Sequence, residues 1–140
     1  MITVSKNNDY SKCTTEQQFK MSYIKKELHY YTDSSLKVFC IETEETVHGF
    51  PDVMTLYCCK KEHTNFARFY EFKISNMNGK IKFQPTQPAF YKNNMDMSIT
   101  VIALNKKTGR VHTFPVECLF DKESPYCMFN AEVNLMKGEV

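Results

Sequence analysis

The sequence predicts a single α/β (α+β) domain, a central mixed sheet flanked by helices in the order α-β-β-β-α-β-β. Three observations point there. The chain has 140 residues, enough to bury one modest core and not two. Hydrophobic residues make up 42% and aromatics 14%, too much apolar surface for a disordered chain. Apolar residues recur first at helical and then at strand spacing. A meander of strands followed by a helix and a buried strand calls for a crossover connection, and hence a mixed sheet.

Residues 1–14 are polar and are expected to fray. From Thr15 onward Phe19, Tyr23, Ile24, Leu28 and Tyr31 follow three- and four-residue steps, the pattern of a helix with one buried face. Thr14 or Thr15 can cap its start, and Asp33-Ser34-Ser35 is expected to end it. Leu36 to Ile41 reads as a short strand, Glu42 to Gly49 as a charged turn, and Val53 to Cys59 as a second strand. Phe66 to Ile74 is the third, followed by a loop from Ser75 to Lys82 around Asn78-Gly79. Thr86 can cap a short helix that tolerates Pro88 in its first turn. Ser98 to Leu104 is β-branched and almost wholly apolar, as a strand buried on both faces should be. Asn105 to Gly109 turns the chain into a last strand from Arg110 to Leu119. The domain is thus expected over 15–120, with 1–14 as a polar N-terminal segment and 121–140 as a C-terminal extension.

Composition excludes several classes. A net charge of +2 does not identify a partner, and the lysine clusters (Lys25-Lys26, Lys60-Lys61, Lys80/Lys82, Lys106-Lys107-Arg110) read as solvated turns and helix faces. Met1 to Tyr10 is polar, so no signal peptide is expected. Of the six cysteines, Cys40, Cys58, Cys59 and Cys118 sit in strand-like apolar runs and read as small core residues. An intracellular protein is expected, cytoplasmic or nuclear. Cys58-Cys59-x3-His63 lacks the second ligand pair that a zinc site needs. No apolar run reaches membrane-spanning length. No Gly-x-Ser-x-Gly turn or phosphate-binding Gly-rich loop is present.

The chemistry lies in the third strand. Alternation puts Glu71 and Lys73 on one face and Tyr70, Phe72 and Ile74 on the other. A carboxylate and an ammonium side by side on a mostly apolar strand need a reason, because unpaired burial is costly. A salt-bridged pair at a sheet edge is the plain explanation. Asp52, at the head of the preceding strand, shifts the balance, since in a hairpin it comes close to Glu71. Two carboxylates at one place repel unless a cation lies between them, and oxygen-only ligands suit magnesium or manganese. The Phe72 carbonyl is available as a further ligand.

Gly49-Phe50-Pro51-Asp52, then eighteen residues, then Glu71-Phe72-Lys73 resembles the signature of the PD-(D/E)XK nucleases. The Gly-x-Pro-Asp form is similar to the VRR-NUC and Holliday-junction-resolvase-like branches, and the likeness covers residues 15–104. It implies a restriction-endonuclease-like fold and an endonuclease dependent on Mg2+ or Mn2+. By position, Asp52, Glu71 and the Phe72 carbonyl would hold the metal, and Lys73 would orient the attacking water or stabilise developing charge. The family's first helix often supplies an acidic residue. Glu27 is the candidate for it, with Glu16 as the fallback. Gln87 matches the Gln that opens the helix after the E-x-K strand, and Gln84 competes with it. Lys80 and Lys82 would grip the nucleic-acid backbone.

His29 has a minor claim, because some viral cap-snatching endonucleases of this fold use a helix histidine as a manganese ligand. His48, His63 and His112 are expected at exposed positions. DNA, including branched or otherwise structured DNA, is the favoured partner, and a homodimer would let two sites cut two strands. The alternatives are an RNA endonuclease of the same fold and a non-catalytic nuclease-fold module that binds nucleic acid or protein. No membrane partner is expected.

Overall fold

A computed structural model describes residues 1–6, 9–28, 34–41, 49–59, 61–62 and 64–139. His29, His48, His63, Tyr31 and the 42–48 turn lie outside the described residues. The elements are β1 (Thr3–Val4), α1 (Glu16–Glu27), β2 (Ser34–Cys40), β3 (Val53–Cys59), β4 (Thr64–Ile74), β5 (Lys80–Lys82), α2 (Thr86–Asn93), β6 (Ile99–Leu104), β7 (Val111–Pro115) and β8 (Glu132–Asn134). Among the described residues three short 3-10 helices complete them, at Met95–Met97, Val116–Phe120 and Leu135–Gly138.

Six strands form one mixed sheet in the order β1-β7-β6-β4-β3-β2, and β5 pairs with β8 in a separate two-stranded ladder. The central contact, β4 with β6, is parallel, and the other pairings of the large sheet are antiparallel. Parallel neighbours cannot be joined by a tight turn, so the chain crosses from β4 to β6 through β5 and α2. The expected crossover helix and buried strand are both present: Ile99, Val101, Ile102, Ala103 and Leu104 of β6 are at most 1% exposed.

α1 packs on one face of the sheet. Phe19 meets Phe72 at 5.7 Å and Tyr23 meets Phe72 at 5.5 Å between ring centroids, in a cluster with Ile102, Leu104 and Val111. Thr15 caps the helix, its side chain accepting from the Gln18 N–H at 3.1 Å, and Gln18 accepts in return from the Thr14 N–H at 2.9 Å. The helix stops at Glu27 with Leu28 as its C-cap, earlier than the sequence pattern suggests. The opposite face carries α2 and the C-terminal elements over a core of Ile81, Phe83, Tyr91, Val101, Phe114, Tyr126, Val133 and Leu135.

Several expectations are revised. The described residues of the N-terminal segment are held down: β1 pairs with β7, Tyr10 is buried, and the Lys106 ammonium donates to the carbonyls of Ser11 and Cys13 at 2.8 and 2.7 Å. The 75–82 loop contains β5. The last strand ends at Pro115, where Val116–Phe120 winds into a 3-10 turn. Residues 121–139 are integral to the core through Tyr126, Val133 and Leu135, all 0% exposed. Cys40 is exposed, and Cys58 and Cys118 are only partly buried. His112, expected at the surface, is fully buried. Its Nε2 lies 2.8 Å from Glu139 Oε2 and its Nδ1 2.8 Å from the Tyr126 hydroxyl, partners 27 and 14 residues away in sequence.

Candidate active site

β4 outlasts its neighbour. β3 begins at Val53, opposite Tyr70, so Glu71 to Ile74 have a strand only on the β6 side. N–H and C=O groups of alternate residues point to the same edge of a strand, and the vacated edge therefore presents the backbone of Phe72 and Ile74. Buried backbone groups must find partners. The Phe72 N–H donates to Asp52 Oδ2 at 3.1 Å, and the Ile74 N–H donates to the Glu16 carboxylate. Two acidic side chains thus take the place of the missing strand, with the Phe72 carbonyl on the edge between them.

The Asp52 turn is fixed from behind. Gly49 has φ +89°, and a Cβ there would stand 2.5 Å from the Thr86 carbonyl oxygen and 2.9 Å from Phe90 Cβ. Only glycine lets the turn lie this close to the start of α2. Phe50 then wedges edge-on between Phe69 and Phe90, with centroids at 5.7 and 5.4 Å. Asp52 is delivered beside Glu71 by this packing rather than by the hairpin alone.

Glu71 and Lys73 project toward α2 and are 2% and 5% exposed. The Tyr91 hydroxyl donates to Glu71 Oε1 at 3.1 Å, and Glu71 also shares a hydrogen bond with Asp52. Burial, and next the Asp52 charge, push the Glu71 pKa well above the usual carboxylate range. The Lys73 ammonium donates to Gln87 Oε1 at 2.9 Å and lies 4.9 Å from the centre of the Phe83 ring. Gln87 Oε1 also accepts the Gln84 N–H at 2.8 Å, closing the first turn of α2 against the strand.

These groups line one open cleft of about 500 Å³ with Glu16, Asn76, Lys80, Lys82 and Gln84. Asp52, Glu71, Lys73, Gln87, Lys80 and Lys82 are therefore brought together. Glu27 is not among them. It sits at the far end of α1, about 16 Å along the helix from Glu16 at 1.5 Å per residue, and accepts from the Tyr10 hydroxyl at 3.1 Å. Glu16 takes the place expected for it. Crowding of its carboxyl end pushes its pKa up, while the Lys73 ammonium and the Ile74 N–H pull it back. Glu16 opens the helix, and with the helix N-terminus docked over the end of β4 that is the end that reaches the cleft. Tyr91 is a site residue that the sequence motif does not mark, although it lies four residues after Gln87 on the same helical face.

Among the described residues, no group of three or more His, Cys, Asp or Glu side chains converges into a metal cage. Magnesium asks for less, commonly one or two carboxylates with water completing an octahedron. The Asp52–Glu71 pair, with the Phe72 carbonyl on the strand edge nearby, offers oxygen ligands that fit that requirement. No protein-family model, characterised protein or solved structure matches the chain. No helix among the described residues is long and apolar enough to cross a membrane.

Proposed function

We propose that this chain is a divalent-metal-dependent endonuclease of restriction-endonuclease-like fold that hydrolyses phosphodiester bonds, with DNA as the favoured substrate. One observation carries the reading: the Asp52 and Glu71 carboxyl groups meet in one open cleft, with Lys73 beside them and Lys80 and Lys82 on its wall. A cation between two such carboxylates would relieve their repulsion. The element order α1-β2-β3-β4-α2-β6-β7 and the spacing of Asp52 from Glu71-Phe72-Lys73 support the same reading.

Asp52, Glu71 and the Phe72 carbonyl would hold Mg2+ or Mn2+, and the bound ion would supply a water of lowered pKa and a Lewis acid for the phosphate. The chain's own residues do the rest. The Lys73 ammonium, held by Gln87, sits where it can orient a water or stabilise negative charge on the phosphate. Gln87, held in turn by the Gln84 N–H, keeps that ammonium out of an ion pair with Glu71. Glu16 stands where the sequence reading placed Glu27, able to bind a second cation or order its water. Lys80 and Lys82 offer positive charge to the phosphates on either side of the scissile bond.

The test is cleavage of duplex DNA, a four-way junction and single-stranded RNA with magnesium or manganese, by wild type, Asp52→Ala and Lys73→Ala. DNA cleavage lost in both variants supports the reading. Preferential RNA cleavage moves the substrate to RNA. Full activity in both variants overturns the assignment of Asp52 and Lys73, and no cleavage by wild type under any condition leaves a non-catalytic binding module.

A further inference from the structure

We infer that Phe129 is a stacking platform for an unpaired nucleobase, and that the cleft therefore takes single-stranded or locally opened nucleic acid. The inference rests on the nuclease reading of the cleft and names the substrate class of that same site.

Phe129 is 78% exposed, the most exposed aromatic ring among the described residues; Phe39 and Phe66 follow at 43%. Its backbone is not loose. The Phe129 N–H donates to the Glu132 carbonyl at 2.9 Å, and the Glu132 N–H returns a bond to the Phe129 carbonyl at 3.0 Å. Between them Asn130 and Ala131 both adopt left-handed φ, 53° and 60°. Left-handed alanine is uncommon and is tolerated where the surroundings fix it. Here the Ala131 carbonyl accepts the Phe83 N–H at 2.8 Å, and the Met128 N–H bonds the Leu119 carbonyl at 2.9 Å. The turn is a rigid mount for one exposed ring.

The register says where the ring stands. Phe129 and Glu132 form an antiparallel bridge, so their side chains leave the same face. On its other side Glu132 pairs with Lys82 of β5, again on that face. Lys82, Glu132 and Phe129 thus form a row about 10 Å long, two steps of the 4.8 Å strand spacing. Lys82 lines the cleft, as does Lys80, and Phe83 leads straight to Gln84 on the cleft wall. The Glu132 carboxylate between them lies 3.8 Å from the Lys80 ammonium, which offsets its charge. A phosphate on Lys82 and a base on Phe129 belong to the same short stretch of strand. Every base has a π-face, whereas in an intact duplex those faces are already stacked; an exposed ring next to a phosphate grip therefore selects unpaired bases without reading sequence.

The experiment measures equilibrium binding, with calcium in place of magnesium, of a short single-stranded DNA carrying 2-aminopurine and of the same sequence as a blunt duplex. Wild type, Phe129→Ala and Phe129→Trp are compared, and cleavage is followed in parallel in magnesium. Because Phe129 is exposed, both variants retain the fold. The expected result is tighter binding of the single strand by wild type with a change in 2-aminopurine fluorescence. Phe129→Ala then loses about tenfold on the single strand and little on the duplex, and Phe129→Trp restores it. Equal affinity of wild type and Phe129→Ala for the single strand, alongside magnesium-dependent cleavage, overturns the stacking role and leaves the nuclease reading standing. An equal loss on both substrates overturns it too. Failure of wild type to bind or cleave either substrate overturns both.

Discussion

Asp52 holds the backbone N–H of Phe72, at 3.1 Å, in the place where β3 would have continued alongside β4. One carboxylate thereby closes a strand edge and stands against the Glu71 carboxyl. The two roles make different demands, and substitution separates them. Asp52→Asn keeps an oxygen for the N–H and removes the charge that Glu71 faces. The metal-free variant is expected to be at least as stable as wild type at neutral pH, by on the order of 1 kcal/mol, while losing metal-dependent cleavage. Thermal melts in chelator check the first point and a cleavage assay the second.

The pH dependence of the metal-free protein follows from Glu71, whose pKa is raised well above 4.5 by burial and then by Asp52. Above 4.5 the unfolded chain has released this proton while the folded chain keeps it. Stability therefore falls as pH rises from 4.5 and stops falling once pH passes the folded value of Glu71. Melts across this range should show the decline in wild type, a flatter curve in Asp52→Asn, and recovery on adding manganese.

Tyr91→Phe keeps the ring that Phe83 meets edge-on and removes only the hydroxyl that holds Glu71 Oε1. A lost hydrogen bond to a buried acid costs about 1–2 kcal/mol, so the variant remains folded. Its weaker affinity for manganese, read by calorimetry, and a cleavage rate reduced with the fold intact would identify Tyr91 as a positioning residue for Glu71. A fall in melting temperature with unchanged manganese affinity would make it a packing residue only.

Level with Lys73 but two strands across the sheet, where His112 stands on β7, Glu139 Oε2 accepts from Thr108 at 2.6 Å, from His112 at 2.8 Å and from Asn105. Burial raises the Glu139 pKa, but these hydrogen bonds outweigh it and the net shift is downward. Burial lowers the His112 pKa below 6.5, against the pull of Glu139. The neutral ring then donates from Nε2 and accepts the Tyr126 hydroxyl at Nδ1. Both shifts act in the same direction. Below 6.5 the unfolded chain takes up a proton that folded His112 refuses, and the Glu139 contribution, present above 4.5, is lost as pH falls through its folded value. Glu139→Gln is expected to lower stability by about 2 kcal/mol at neutral pH and to flatten the acid limb of the melting curve.

How far the sequence could be read depended on the range of the interaction. Periodicity located α1, β3, β4, α2 and β6, since each buries a face that its own residues define. The Asp52–Glu71–Lys73 constellation was legible because strand alternation and a short hairpin determine it locally. Glu16 and Glu27 could not be ranked from helical spacing, which says which face is buried and not which end of the helix overhangs β4. β5 and β8 have three residues each and gain their ladder only from each other, fifty residues apart. Burial of His112 depends on Glu139, twenty-seven residues away, and on Tyr126, so a polar residue in a strand gave no local sign of it.

The C-terminal segment gives a further prediction, because it fills the core instead of extending from it. Truncation after Phe120 removes Tyr126, Val133 and Leu135, each fully buried and each contributing about 1.5–3 kcal/mol. Their sum is comparable to the whole stability of a typical domain, so the truncated chain should fail to fold, shown by loss of near-ultraviolet circular dichroism and of a cooperative melt.

The central claim, that Asp52 and Glu71 form a divalent-cation site, is tested most directly by calorimetric titration of manganese into wild type and into Asp52→Asn. The account predicts saturable binding by wild type, with proton release from Glu71 visible as a dependence of the heat on buffer ionisation enthalpy, and loss of both in the variant. Identical titrations of the two proteins, or no saturable heat in wild type, would contradict it.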